Sequence, residues 1–346
     1  MDINAAYYPS WKVYKDFPPS TLQIDKLTHV FYAFARVNEN GTLRSLDPYA
    51  DFTKPVDDTN GTIQALLNLR SSHPTLKIIL SIGGGASSGT TEFPALASKP
   101  ETRLAFAKSS KEWVDRYNFD GIDIDWEHPT TSTQGSDYLS LLLTARSLLP
   151  SPRYLLTSAL PTGNYTLGYI DLSAVGQVLD YLNLMTYDFA GPWTPQAGNH
   201  AQLRPYRGVP QGSITAGIDN IKNNSNFPLN KIILGIPTFA RYFPAARGPG
   251  DPFPKNTSGE IDYRDLPTEW ITSAVIDKKK GAAHIVDATE GGKGFVSFDV
   301  PETVKIKVAW AKKQGLAGLF YWTGVADRTE DLSLIQTGFE ALGIQR

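Results

Sequence analysis

Residues 120 to 127 read Asp120-Gly121-Ile122-Asp123-Ile124-Asp125-Trp126-Glu127, and the reading of this stretch decides the fold. Successive side chains of a β-strand point to opposite faces. Written as a strand, the segment lines Asp123, Asp125 and Glu127 along one face and Ile122, Ile124 and Trp126 along the other. Same-face neighbours stand about 6–7 Å apart, so three carboxylates in a row repel one another when all are ionised. A buried charge is costly unless paired. The usual outcome is that neighbours share protons and one carboxyl titrates late, which prepares a general acid for work near neutral pH.

Plainer explanations fit less well. Exposed charge runs normally face solvent, but here the opposite face is strongly apolar and the run holds no Lys or Arg. A calcium loop needs a turn glycine after the second or third acid, whereas Gly121 precedes them. A metal pair acting on nucleic acid calls for a basic surface that the sequence lacks. Catalytic carboxylates are the better reading.

Outward from this segment, short apolar runs alternate with longer stretches of helical spacing. The runs 5–8, 29–35, 77–82, 121–126, 154–159, 181–185, 231–236 and 318–322 read as strands. Helical spacing falls at 103–117, 137–149, 214–223 and 302–313. Continuous apolar strands alternating with helices imply a parallel sheet with covered faces. Eight such units imply an α/β fold of the (β/α)8 TIM-barrel type rather than an open sheet. From about 243 to 295 the chain turns rich in Pro, Gly and charge. That is too long for an ordinary loop, so a small α+β insertion subdomain is expected between strands seven and eight. The whole of 1–346 is expected to be one catalytic barrel carrying that insertion.

Composition narrows the function. The 346 residues are 41% hydrophobic and carry 33 basic against 35 acidic groups, a net charge of −2. That balance favours neither nucleic acid nor an anionic membrane as partner, and it suits a neutral substrate. With no cysteine, disulfides, thiol catalysis and thiolate metal sites are excluded. No apolar run is long enough to span a membrane, and the N-terminus lacks a signal-peptide pattern. Sequons at Asn40, Asn60, Asn164, Asn223 and Asn256 permit glycosylation of a secreted chain.

In such barrels, reactive groups gather at the carboxyl ends of the strands. The first strand runs out in Tyr7-Tyr8-Pro9-Ser10-Trp11, the third in Ser81-Ile82-Gly83-Gly84-Gly85, the sixth in Met185-Thr186-Tyr187-Asp188 and the eighth in Tyr321-Trp322. The glycines lack the context of a phosphate loop. They are better read as letting the backbone pass close beside the neighbouring acids. Tyr187 and Asp188 suit substrate hydrogen bonding, and Trp193 and Trp322 suit stacking on a sugar ring. His128 falls on the opposite parity from Glu127 and precedes Pro129, so a structural role is expected.

These pieces together resemble glycoside hydrolase family 18, the chitinases and their relatives. Asp120, Asp123, Asp125 and Glu127 match the family's DxxDxDxE pattern; Ser81, Gly83 and Gly84 match SxGG; Met185, Tyr187 and Asp188 match MxYD. Trp322 and Tyr7 correspond to its eighth-strand Trp and first-strand Tyr, and order and spacing agree from residue 5 to about 327. The family's G-x-P-x-Y-G-R segment reads Gly235-Ile236-Pro237-Thr238-Phe239-Ala240-Arg241 here, so Phe239 lacks a hydroxyl.

The resemblance implies a retaining, endo-type chitinase without metal or cofactor. Glu127 would be the general acid. The substrate's own acetamido oxygen would attack in place of an enzyme nucleophile, this family being an exception to the two-carboxylate scheme. Asp125 would orient the acetamido group, Asp123 would share a proton with Asp125, and Tyr187 would donate to the acetamido oxygen. Tyr7, Phe34, Ser81, Gly83, Gly84, Trp126, Met185, Asp188, Trp193, Arg241 and Trp322 complete the expected substrate site. Chitin or a chitooligosaccharide is the expected partner of a secreted, monomeric chain. The rivals are an endo-β-N-acetylglucosaminidase acting on N-glycans and a non-catalytic chitin-binding lectin; the acid at Glu127 weighs against the lectin.

Overall fold

The computed structural model describes residues 1–85, 91–209 and 211–345. Its centre is a closed barrel of eight parallel strands: Ile3–Pro9, His29–Val37, Lys77–Gly83, Gly121–Asp125, Leu155–Pro161, Tyr181–Met185, Ile232–Pro237 and Gly318–Trp322. Each pairs with its neighbours in chain order, and the first pairs with both the eighth and the second, which closes the ring. A short strand, Leu43–Ser45, adds antiparallel to the second.

Alternation along the strands sorts the core into two bodies. Ile122, Ile124 and Trp126 join the large cluster between sheet and helices, with Tyr138, Leu141 and Phe106. Ala5, Tyr7, Phe31, Ile79, Ile233 and Phe320 fill the barrel lumen. The acidic face of the fourth strand therefore points inward.

The helices end where the sequence provides for it. Pro100–Tyr117 starts on a proline and stops at Asn118 in the left-handed conformation (φ 54°). Ser132–Leu148 is capped by Thr131, whose side chain accepts from the Gln134 amide.

The insertion is wider than the expected span of about 243 to 295. It is a five-stranded antiparallel sheet in the order Gly259–Asp262, Phe239–Phe243, Gly294–Phe298, Ala282–Asp287, Val275–Asp277. Only Thr238 separates its first strand from the seventh barrel strand, so a single apolar run conceals the boundary. The chain leaves through Asp299, whose carboxylate accepts two hydrogen bonds from the Lys307 ammonium on helix Pro301–Gln314, at 2.7 and 2.5 Å. Both side chains are fully enclosed. Removing one member of such a pair strands the other charge. Lys307→Met is expected to lower unfolding free energy in urea by about 3–5 kcal/mol, with much of it restored in Asp299→Asn/Lys307→Met.

Candidate active site

Four strands converge on Asp123, which is wholly buried in the lumen. Tyr7 and Ser81 donate to its Oδ2 at 2.9 and 2.7 Å, and Thr157 donates to Oδ1 at 2.7 Å. Asn183 reaches Oδ1 at 3.4 Å and donates to the Tyr7 hydroxyl at 2.8 Å. Burial raises the Asp123 pKa, and the Thr157, Ser81 and Tyr7 donors offset part of the rise.

One step up the strand, Asp125 is 4% exposed and its Oδ1 has no hydrogen-bond partner. Burial first, then the charges of Glu127 and Asp123, push its pKa well above the usual carboxylate range. The strand stops at Asp125, and Glu127 emerges into a cleft of about 720 Å³ at the carboxyl end of the barrel. Burial, then the charge of Asp188, lifts Glu127 from 4.5 to about 7. Its environment is that of an acid still protonated near neutrality.

The glycines after the third strand do what their sequence suggests. Gly83 has φ 117°, and a Cβ there would stand 2.2 Å from the Asp125 carbonyl oxygen. The Gly84 amide donates to that same oxygen at 3.0 Å. A backbone this close to the acids admits no side chain.

Tyr187 follows the sixth strand, and its ring fits because Gly235 has no Cβ: one would lie 2.8 Å from the ring. Burial, then Asp125, Glu127 and Asp188, keep the phenol protonated. Asp188 adopts φ 60°, a region Asp tolerates. Burial raises its pKa, but the neighbouring His200 and the Arg241 guanidinium, which grips it at 2.9 and 3.0 Å, both lower it and the net shift is downward. His200 Nδ1 lies 3.7 Å away, beyond hydrogen-bond length. Arg241 also pairs with Glu260 at 2.9 Å and lies 5.1 Å from the Trp193 ring. The floor is aromatic: Trp322 stacks on Phe34 at 5.8 Å and meets Tyr7 edge-on at 5.4 Å.

Tyr7, Phe34, Gly83, Gly84, Asp125, Glu127, Met185, Tyr187, Asp188, Trp193, Arg241 and Trp322 thus all border one cleft. Ser81 and Asp123 lie beneath it. Trp126 does not join them. It is completely buried on the outer side of the barrel wall, stacked on Phe93 at 5.6 Å, because its strand parity points it away from the acids. Asp120 lies at the opposite end of the strand, paired with Arg70 and Lys77.

Sequence reasoning missed other wall residues. His128 borders the cleft with Nε2 3.7 Å from Glu127, and Trp11, Arg36, Leu46, Tyr165 and Glu260 border it too. Trp11 stands in the run-out of the first strand already quoted, a signal that could have named it, whereas Tyr165 lies on the short helix Asn164–Leu167 beyond the fifth strand. Glu260 comes from the insertion, where no motif marks it.

A model described as glycosyl hydrolases family 18 matches residues 3–327. The chain belongs to that family. Chitinase 1 of Aphanocladium album is 35% identical over 99% of this chain and 86% of its own length. Endochitinase 1 of Metarhizium robertsii is 34% identical over 99% and 85%. Among solved structures, an immunomodulatory active chitinase from Trichuris suis superposes with a TM-score of 0.86 at 25% identity, over 99% of this chain and 100% of that one. This chain is a glycoside hydrolase of family 18, and no helix among its described residues is long and apolar enough to cross a membrane.

The raised Glu127 pKa has a stability consequence. Between the unfolded value near 4.5 and the folded value near 7, the folded state retains a proton that the unfolded chain has lost. Stability is therefore full below this window and falls as pH rises through it. Glu127→Gln is expected to be neutral at pH 4 and stabilising by about 1–2 kcal/mol at pH 8, measured by chemical denaturation at both.

Proposed function

We propose that this protein hydrolyses β-1,4-linked N-acetylglucosamine in chitin and chitooligosaccharides, with retention, through attack by the substrate's own acetamido oxygen. The observation that carries the reading is the state of the carboxyl groups around Glu127. Glu127 is kept protonated near neutral pH and faces an aromatic-floored cleft, as a general acid requires. Asp125 is enclosed with a strongly raised pKa, and Asp188 is clamped by Arg241. Both are poor nucleophiles. Glu260, which also borders the cleft, is paired with Arg241, and this supports the reading that the substrate supplies its own nucleophile, as the family resemblance implies.

In this mechanism Glu127 gives its proton to the glycosidic oxygen. The acetamido carbonyl closes on the anomeric carbon, forming an oxazolinium-type ring. Asp125 accepts from the acetamido N–H with its unpartnered oxygen, and by passing the proton it shares to Asp123 as positive charge develops there, it becomes able to stabilise that charge. The Tyr187 hydroxyl donates to the acetamido oxygen and aligns it. Water, deprotonated by the Glu127 carboxylate, then opens the ring from the side the leaving group vacated. The sugar ring lies against Trp322, with Asp188, Arg241 and Trp193 holding the adjoining units. The relatives named as chitinases support the substrate assignment. A polymeric substrate too large to enter a cell fits a secreted enzyme, and we infer that it acts as a monomer.

Glu127→Gln is expected to lower kcat on a soluble chitooligosaccharide by at least about 10²-fold while leaving oligosaccharide affinity within a few-fold. Turnover at the wild-type rate would sink the assignment. Fully deacetylated oligomers are expected to survive incubation intact, read by mass spectrometry of the products, because they lack the internal nucleophile.

A further inference from the structure

His128 stands on the cleft wall beside Glu127, and no step of the mechanism above uses it. Its Nε2 lies 3.7 Å from Glu127 Oε2, while its Nδ1 is buried with no hydrogen-bond partner. Two neighbours restrict the ring. Pro129 disfavours a helical backbone at His128. The Tyr165 ring, on helix Asn164–Leu167, meets the imidazole edge-on at 6.1 Å.

The two ring nitrogens are therefore not equivalent. A neutral imidazole carries one proton, on one nitrogen or the other. On Nδ1 it would be a buried donor without an acceptor, which is costly. On Nε2 it points toward the glutamate, so the surroundings select the Nε2–H tautomer. Burial lowers the His128 pKa from 6.5 to about 4, while Glu127 is lifted to about 7. Between those values both groups are uncharged, and His128 has no proton to spare. The 3.7 Å separation, longer than a hydrogen bond, suits two neutral groups that each present a donor.

The reaction changes that pairing. The carboxyl that serves first as acid serves next as base, so between the two steps Glu127 is an anion in an enclosed place. Facing it are Asp125 from its own strand, Tyr187 and Asp188 from beyond the sixth strand, and Tyr165. None of these four is a cation. Of the arginines bordering the cleft, Arg241 is paired with Asp188 and Glu260, and Arg36 with Glu92. An imidazole N–H beside the new carboxylate makes a charge-assisted hydrogen bond, shorter and stronger than one between neutral groups. Such contacts are often long in the free enzyme and tighten in the reacting state.

We propose that His128 is a positioning residue: its Nε2–H takes hold of the Glu127 carboxylate once that group has given its proton to the leaving oxygen, and keeps it aimed for the water step. This rests on the reading of Glu127 as acid and then base. His128 donates a hydrogen bond and retains its own proton throughout. A donor that favours the carboxylate lowers the pH at which Glu127 ionises. Removing the donor must move that ionisation upward, and with it the basic limb of the kcat/KM profile, which reports the acid of the free enzyme.

The test is the pH profile of kcat/KM on a soluble chitooligosaccharide for wild type, His128→Phe and His128→Gln. In the phenylalanine variant the basic limb is expected to rise by roughly 0.5 to 1 on the pH scale, the size of one modest charge-assisted bond. Glutamine can place an amide N–H where Nε2 stands, and it is expected to return the limb to within about 0.3 of wild type. A limb that stays in place or moves down in the phenylalanine variant, or a loss of rate that is uniform across pH, would overturn the proposal. Nitrogen NMR of the labelled wild-type imidazoles gives a readout free of any folding defect. The His128 signal, identified among the five histidines by its absence from the glutamine variant, is expected to report a neutral ring protonated at Nε2 near neutral pH; a proton on Nδ1 overturns the assignment. Glu127→Gln is measured alongside. Wild-type turnover in that variant would refute Glu127 as the acid, whereas an inactive Glu127→Gln with an unmoved limb in His128→Phe refutes the role of His128 alone.

Discussion

The site depends on one buried carboxyl group and the hydroxyls that surround it. Asp123 sits where no charge would settle unaided, and Tyr7, Ser81, Thr157 and Asn183 reach it from four other strands. Those contacts tie the lumen of the barrel together at the level of the fourth strand. They also set a negative charge directly beneath Asp125, and this helps to keep Asp125 from ionising. Fold and chemistry share one hydrogen-bonded cluster. A side chain that solves a packing problem for the barrel is also the electrostatic base of the site.

The three acids of the octapeptide do not end up equivalent, and burial is what separates them. Asp123 is saturated with donors; Asp125 has an unpartnered oxygen; Glu127 stands beyond the strand at the edge of solvent. Depth in the barrel thus converts a repeating sequence into a graded series.

Much of this was legible in the chain. Period-two alternation put Ile122 and Ile124 on one face and the acids on the other, and all eight strands lie within two residues of where apolar runs put them. The glycines at 83 and 84 were readable as a close backbone approach because no other residue survives at such distances. Trp126 was misplaced as a substrate contact, although its own parity already assigned it to the outer core. What the sequence hid was long-range or local in an irregular way. The start of the insertion was masked by the continuous run through Thr238, and Glu260 reaches the cleft only because Gly259–Asp262 pairs with Phe239–Phe243. His128 escaped because parity stops being informative once the strand has ended at Asp125.

The pairing of Arg241 with both Asp188 and Glu260 has a further consequence. Arg241 belongs to the first strand of the insertion, while the aspartate it neutralises belongs to the barrel and bears on the titration of Glu127. The insertion is therefore wired into the acid it overlooks. A change in that module that disturbed Arg241 would alter the charge facing Glu127 without touching a barrel residue. The barrel carries the acid, and the appendage carries a charge that bears on it.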